Sequence, residues 1–431
     1  MFDLKGLGTD KETEVRAGIT TFLTMAYIIV VNPAILSAAG VPLSGILFAT
    51  VVVSAISCIL MGLYANLPFA LAPGMGLNAF VTYTLIIGQG VSWQTAMGAV
   101  IVSGVIFMLL SLPGINVREK MLRAIPEPLR LGVASGIGIF LAFIGLQDSG
   151  VIVNSETTLV AFGGMNWAVG LFIIGLIVTG FLLYKGQKGA LIIGILSVTV
   201  IGIILTTMGT AEITHLPESA VQWPNASLFM DVDIIGVFTI AMAGPLFTLL
   251  FTDMFDSIST FLGVAEAGDF KMEDGAPRNT GKALFIDGVA TTISGILGTS
   301  PATTYVESAS GVEEGGRSGM TAVTVGLLFL PFMFFSPIIG MIPAVATGPV
   351  LVLVGLFMTK TAQNIDWSKY DDSIPAFVAM LAIPLTYNIT NGIVLGIISY
   401  VVIKSLAGEF KEIPVTLWFI FVFSVAVLFL I

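Results

Sequence analysis

The sequence predicts an all-α polytopic membrane protein of about fourteen transmembrane spans, arranged as a 7+7 inverted repeat in which spans three and ten are broken by short extended segments. Three observations carry this reading. Of the 431 residues 56% are hydrophobic and only 10% charged, with a mean hydropathy of +1.01, far from the balance of a soluble domain. Apolar runs near the roughly 20 residues needed to cross hydrocarbon recur along the whole chain, without the alternating ten-residue segments of a membrane barrel. Two stretches rich in proline and glycine interrupt that pattern at corresponding places in the two halves.

Taken in order, residues 17–39 form a first span, with a kink expected at Asn32-Pro33, and 43–64 a second. The stretch ANLPFALAPGMGLNAF, 65–80, is the broken third span. Pro68 and Pro73 bracket too few residues for a helix, Gly74 and Gly76 loosen the backbone, and Asn78 opens a helical run to about Ile87. Residues 93–112, 126–146, 165–184 and 190–207 are spans four to seven, the fifth carrying Gly132, Gly136, Gly138 and Gly145, a texture suited to tight helix packing. A polar loop, 208–233, without Lys or Arg, divides the chain. Span eight, 234–263, is longer than one crossing requires, and Gly244-Pro245 is expected to break or kink it. A charged loop, 266–282, leads to span nine, 283–297. Spans eleven to fourteen follow at 318–339, 343–358, 374–385 and 392–405, the last two as a hairpin. Residues 414–431 are apolar and fit either a further crossing or an interfacial helix.

Span ten is the stretch on which the chain turns: GTSPATTYVESASGVEEGG, 298–316. Pro301 removes a backbone donor, and the β-branched and aromatic run Thr303 to Val306 favours extended chain before helical character resumes. Backbone of this kind persists at membrane depth only where protein buries it or it lines a cavity. Each broken span is preceded by a similar string, SAISCIL at 54–60 and TTISGIL at 291–297. Seven spans, an odd number, separate the two copies, so they cross the bilayer in opposite directions. This is the inverted repeat in which discontinuous helices meet near the midplane.

Lys and Arg mark the loops expected to stay cytoplasmic. With the N-terminus inside, those loops hold Arg118, Lys120, Arg123 and Arg130, then Lys185 and Lys188, Lys271 to Lys282, Arg317, and Lys360 with Lys369, while Lys404 places the end of span fourteen inside. The N-terminal segment has no cleavage site of signal-peptide type and is expected to remain. One cysteine, Cys58, and one histidine, His215, leave no disulfide within the chain and no familiar zinc cluster, and no metal or cofactor is expected. The net charge of −10 is spread over loops, with no basic run for nucleic acid.

An intramembrane carboxylate is expensive and is a functional candidate by default. Glu307 is one; its plainer role would be an acceptor for the unwound backbone. Asp253 and Asp256 lie three apart and share a helix face with Thr260, interleaved with Phe251, Met254, Phe255 and Ile258. Their plainer role is a solvated helix end. The Asn78 amide is suited equally to a ligand contact, a helix cap or a cross-link between helices. Phe80 and Tyr305 offer faces to a flat ligand, though packing is the ordinary role for each. Glu313, Glu314 and Arg317 read as a solvated helix end, and His215 sits in an outer loop.

The segments TTFLTMAYIIVVNP (20–33), LAPGMGLNAF (71–80), FTDMFDSIST (251–260) and GTSPATTYVESASG (298–311), in that order, resemble the azaguanine-like purine permeases, a branch of the nucleobase/ascorbate transporter superfamily. The resemblance covers nearly the whole chain. It implies a core domain of spans one to four and eight to eleven (17–112 and 234–342) and a gate domain of spans five to seven and twelve to fourteen (113–208 and 343–411). The N-terminus (1–16) would then be cytoplasmic, 209–233 an extracellular loop, and 412–431 an added hydrophobic segment. It also implies proton-coupled uptake of adenine, guanine or hypoxanthine across the plasma membrane by alternating access, with protons as the coupling ion and the bilayer and a purine nucleobase as partners. By motif position it implies substrate binding by Asp253, Glu307, Asn78 and Thr304, and proton coupling by Asp256, Glu307 and Asp253. A homodimer fits this architecture. An anion carrier of the same fold and a channel are the competing readings, and an enzyme is disfavoured by the lack of a cysteine or histidine dyad.

Overall fold

The computed structural model describes residues 2, 4–112, 125–267 and 278–428. Arg118, Lys120, Arg123 and Lys271, on which part of the orientation argument rests, lie outside the described residues. Nine helices among those described are long and apolar enough to cross a membrane, with shorter apolar helices at Met75–Gly88, Gly319–Phe334 and Val415–Leu428.

Spans one, two, four and eight to eleven pack on one another, and spans five to seven and twelve to fourteen form a second group. Span one begins at Lys11, earlier than the expected 17, and is interrupted at Ala26–Tyr27 between Lys11–Met25 and Ile28–Ser37. The expected kink at Asn32-Pro33 is therefore displaced toward the N-terminus. Pro33 lies inside the helix Ile28–Ser37, and at the interruption the amides of Ile29 and Val30 bond three residues back, to Ala26 and Tyr27. Span eight also departs from expectation. Two short 3-10 turns, Ile235–Phe238 and Ile240–Met242, precede a continuous helix Ala243–Ala267. Pro245 sits in its first turn, where the missing N–H has no partner to lose, so it starts the helix instead of breaking it.

The strands β1 (Leu71–Pro73) and β4 (Ala302–Thr304) are the extended segments of spans three and ten, and they pair antiparallel. A second hairpin, β2 (Ile152–Ser155) with β3 (Leu159–Phe162), lies between spans five and six and was not anticipated. Its sequence, VIVNSETTLVAF, carried the signal: β-branched runs flanking a polar turn. The final helix, Val415–Leu428, follows the end of span fourteen and runs back along span eight. Its Phe423 ring lies 5.5 Å from Phe247, and Val427 lies against Gly244, at the start of that span.

The ends of the spans are tied by charges that the sequence reading left to solvent. Glu14, fully buried, accepts from the backbone N–H groups of Arg317 (2.7 Å), Ser318 (3.1 Å) and Thr321 (3.2 Å) and from the Thr321 hydroxyl (2.6 Å). It supplies the acceptors that the first turn of span eleven lacks. Glu314, expected to be solvated, is instead paired with Lys188 and with Arg16 at 3.5 Å. Lys404, 4% exposed, donates to Asp371, to Glu409 (2.7 Å) and to Glu412 (2.8 Å), joining spans thirteen and fourteen to the segment before the last helix. Replacing Glu14 by Ala strands those donors, and a cost of about 1–3 kcal/mol is expected. It is read as a lower thermal unfolding midpoint in detergent, with Glu14→Gln intermediate; an unchanged midpoint for Glu14→Ala would show that solvent replaces the cap.

Candidate functional site

The site is built on the β1–β4 pair. Its register, Leu71↔Thr304, Ala72↔Thr303 and Pro73↔Ala302, is flanked by two matching bonds, Gly74 N to Pro301 O and Tyr305 N to Ala70 O, both 2.9 Å. The arrangement is symmetric about Ala72 and Thr303, so the two halves of the chain meet there on a local two-fold axis. The repeated strings hold the strands. Cys58, in SAISCIL, accepts from Leu71 N at 3.1 Å, and Ser294, in TTISGIL, accepts from Ala302 N at 3.1 Å. Each anchors the first residue of its strand. Gly298 ends span nine at φ 85°, a left-handed position suited to glycine, and releases the chain into β4.

Strand alternation then distributes the carboxylates. Thr303 points to one side and donates to Asp256 Oδ2 at 3.2 Å; Thr304 points to the other and donates to Asp287 Oδ1 at 3.2 Å. Asp253 Oδ2 accepts from Thr291 at 2.7 Å beside the Ala302 carbonyl. Asp253 and Asp287 are fully buried, whereas Asp256 and Glu307 are partly exposed.

Glu307 immediately precedes the short helix Ser308–Glu313 and accepts from the Tyr27 hydroxyl at 2.8 Å. Asn78, fully buried in Met75–Ala79, accepts from the Ser300 hydroxyl, while its amide nitrogen has the Met75 sulfur at 3.7 Å. Of the roles open to it, the cross-link between spans three and ten is the one formed. Phe80 is fully buried, and the Tyr305 hydroxyl donates to the Pro73 carbonyl, so both are packing and bonding elements of the crossing. His215 is exposed, away from it.

The second group of spans closes on the same point. A Cβ on Gly76 would stand 2.6 Å from Ile137 Cγ2, so glycine is required for span five to approach the first turn after β1. Arg130, at the start of span five, places its guanidinium 5.5 Å from the Phe255 ring centroid, next in sequence to Asp256. Sequence reasoning missed Asp287 and Tyr27. Asp287 was visible as a lone carboxylate in FIDGVATTISGIL, whereas nothing local marked Tyr27 as a partner of Glu307, 280 residues away.

Apolar spanning helices around two broken spans, with carboxylates opening beside a paired-strand crossing, define a multi-pass membrane transporter. The chain belongs to the Permease family (Xan_ur_permease), the nucleobase/ascorbate transporters, which matches residues 12–395. It is a permease and not an enzyme.

It is 39% identical over 435 residues to the guanine/hypoxanthine permease PbuO of Bacillus subtilis, covering 99% of each chain. It is also 39% identical to the adenine permease AdeP of Escherichia coli, covering 96% of this chain and 91% of that one. Among solved structures, the transmembrane domain of the cyanobacterial bicarbonate transporter BicA aligns with a TM-score of 0.64 at 15% identity, covering 89% of this chain and 97% of that one. SLC26A9 aligns at 0.65 and 12% identity, covering 92% and 65%. These likenesses show the shared fold, the 7+7 inverted repeat.

The exposure pattern has a direct test, because the one native cysteine, Cys58, is fully buried. Cysteines placed at Asp256 and Glu307 should react with a small water-soluble thiol reagent, and cysteines at Asp253 and Asp287 should not. Equal labelling of all four positions would contradict the division into open and sealed carboxylates.

Proposed function

We propose that this permease imports a purine nucleobase across the plasma membrane, coupled to protons and working by alternating access. The observation that carries the reading is the pair of acidic residues, Asp256 and Glu307, only partly buried beside the strand crossing. A neutral purine presents ring and exocyclic N–H donors, which carboxylates accept. The purine permeases among the relatives support the same substrate class.

Asp256 and Glu307 are the substrate ligands in this reading. Asp253, expected from motif position to contact substrate, is sealed against Thr291, so its role is to support the crossing from behind, as Asp287 does through Thr304. Thr304 and Asn78, both engaged with protein partners, likewise hold the geometry. The coupling proton is assigned to this pair of carboxylates. The spans carrying the strands act as the core, which moves against the second group of spans as gate, with the N-terminus in the cytoplasm. An anion carrier is disfavoured, because two acidic side chains open on the place where the anion would sit.

The test is uptake of radiolabelled adenine, guanine and hypoxanthine into proteoliposomes with and without an inward proton gradient. Accumulation driven by the gradient is expected for at least one base, with Glu307→Gln and Asp256→Asn each lowering kcat/KM by about 100-fold or more, as expected for loss of a charged hydrogen-bonding partner in a desolvated site. Folded wild-type protein that takes up none of the three bases would overturn the substrate class. Uptake indifferent to the gradient would overturn the coupling.

A further inference from the structure

Glu307 is positioned from outside its own span. Tyr27 stands at the interruption of span one, 2% exposed, and its hydroxyl donates to Glu307 Oε1 at 2.8 Å. Its main chain is pinned, because the Tyr27 carbonyl accepts from both Val30 N (3.0 Å) and Val31 N (2.9 Å). On one side of the interruption the Thr24 hydroxyl bonds Ser310 at 3.0 Å. On the other, Asn32 Nδ2 donates to Thr299 at 3.0 Å and to Thr50 at 2.7 Å. Span one is thus clamped to span ten both before and after Tyr27, and the phenol has little freedom to leave the carboxylate.

A carboxylate has two oxygens and about four acceptor positions, whereas a phenol donates one hydrogen. The Tyr27 hydroxyl fills one of those acceptor positions, on Oε1, and leaves acceptor capacity on the carboxylate for a ligand. A carboxylate on a short, glycine-flanked segment would otherwise rotate among orientations and would have to be ordered when substrate arrives, at the expense of affinity. We propose that Tyr27 is a positioning residue for nucleobase recognition: its hydroxyl tethers the Glu307 carboxylate at Oε1, so that the acceptor capacity left on that carboxylate meets an N–H of the base in a fixed orientation. This inference rests on the functional reading above and assigns span one a part in a site otherwise built from spans three, eight and ten.

The experiment compares wild type, Tyr27→Phe, Glu307→Asp and the double variant in proteoliposome uptake and in purine-induced thermal stabilisation of the detergent-solubilised protein. Phenylalanine keeps the buried ring and removes only the donor. Tyr27→Phe should raise KM about tenfold, with kcat within about twofold and the ligand-free unfolding midpoint unchanged, the pattern of lost binding without lost packing. The shorter side chain of Glu307→Asp withdraws from the phenol, so adding Tyr27→Phe to it should raise KM no further.

A wild-type KM in Tyr27→Phe overturns the proposal. So does an equal loss on both backgrounds, or a fall in kcat together with a lowered ligand-free midpoint, which marks a purely structural role. The two levels separate cleanly. Normal uptake by Glu307→Gln sinks the functional reading itself, whereas loss of uptake in Glu307→Gln with a silent Tyr27→Phe sinks only the positioning role.

Discussion

The constraint on which this structure depends is the need to satisfy backbone that is not helical in the middle of a bilayer. An unpaired peptide group in hydrocarbon costs several kcal/mol, so a helix can be broken there only if something else takes up its hydrogen bonds. In this chain the two broken spans meet that need for each other. β1 gives β4 its partners, and the bonds from Gly74 to Pro301 and from Tyr305 to Ala70 close the ladder at both ends. Neither segment could stand alone. Because the partners come from opposite halves, the inverted repeat is also the condition for an unwound centre.

The placement of carboxylates follows from the same ladder. Successive side chains on a strand point to opposite faces, so two adjacent threonines hold two aspartates apart, Asp256 through Thr303 and Asp287 through Thr304. One face opens and the other is sealed. Sealed acids are costly unless hydrogen-bonded: Asp287 has Thr304, and Asp253 has Thr291 on Oδ2 while its Oδ1 is buried without a partner. The polar residues of TTISGIL and PATTY are therefore not interchangeable with the apolar residues around them.

Much of this was legible in the sequence, for identifiable reasons. Prolines and glycines at Pro68, Pro73, Gly74, Pro301 and Gly298 announce broken helices, and an acid within an apolar run is conspicuous, so Glu307, Asp253 and Asp256 emerge from local pattern alone. What stays hidden is direction and partner. Helical spacing puts Asp253 and Asp256 on one face but does not say which of them is packed against Thr291 and which reaches the opening. Tyr27 and Glu14 were unmarked, and Lys404 was read only for orientation, because their partners are distant in sequence or change their meaning by burial: Glu14 reads as an ordinary charged residue until span eleven is set upon it. The break expected in span eight does not form because a proline in the first turn of a helix has no hydrogen bond to remove.

The comparison with BicA and SLC26A9 sharpens what a fold can and cannot decide. A bicarbonate transporter and SLC26A9 share this fold at 15% and 12% identity, so the 7+7 inverted repeat does not by itself name the cargo. The difference must lie in what the crossing presents. In this chain it presents carboxylate oxygens, which are acceptors when ionised and repel an anion, but suit a ring bearing N–H groups. The ladder's own N–H groups are committed to holding the two halves together, as at Gly74 and Tyr305. In this chain the paired strands hold the unwound centre in order, and the charge on a few side chains around it selects what can sit there.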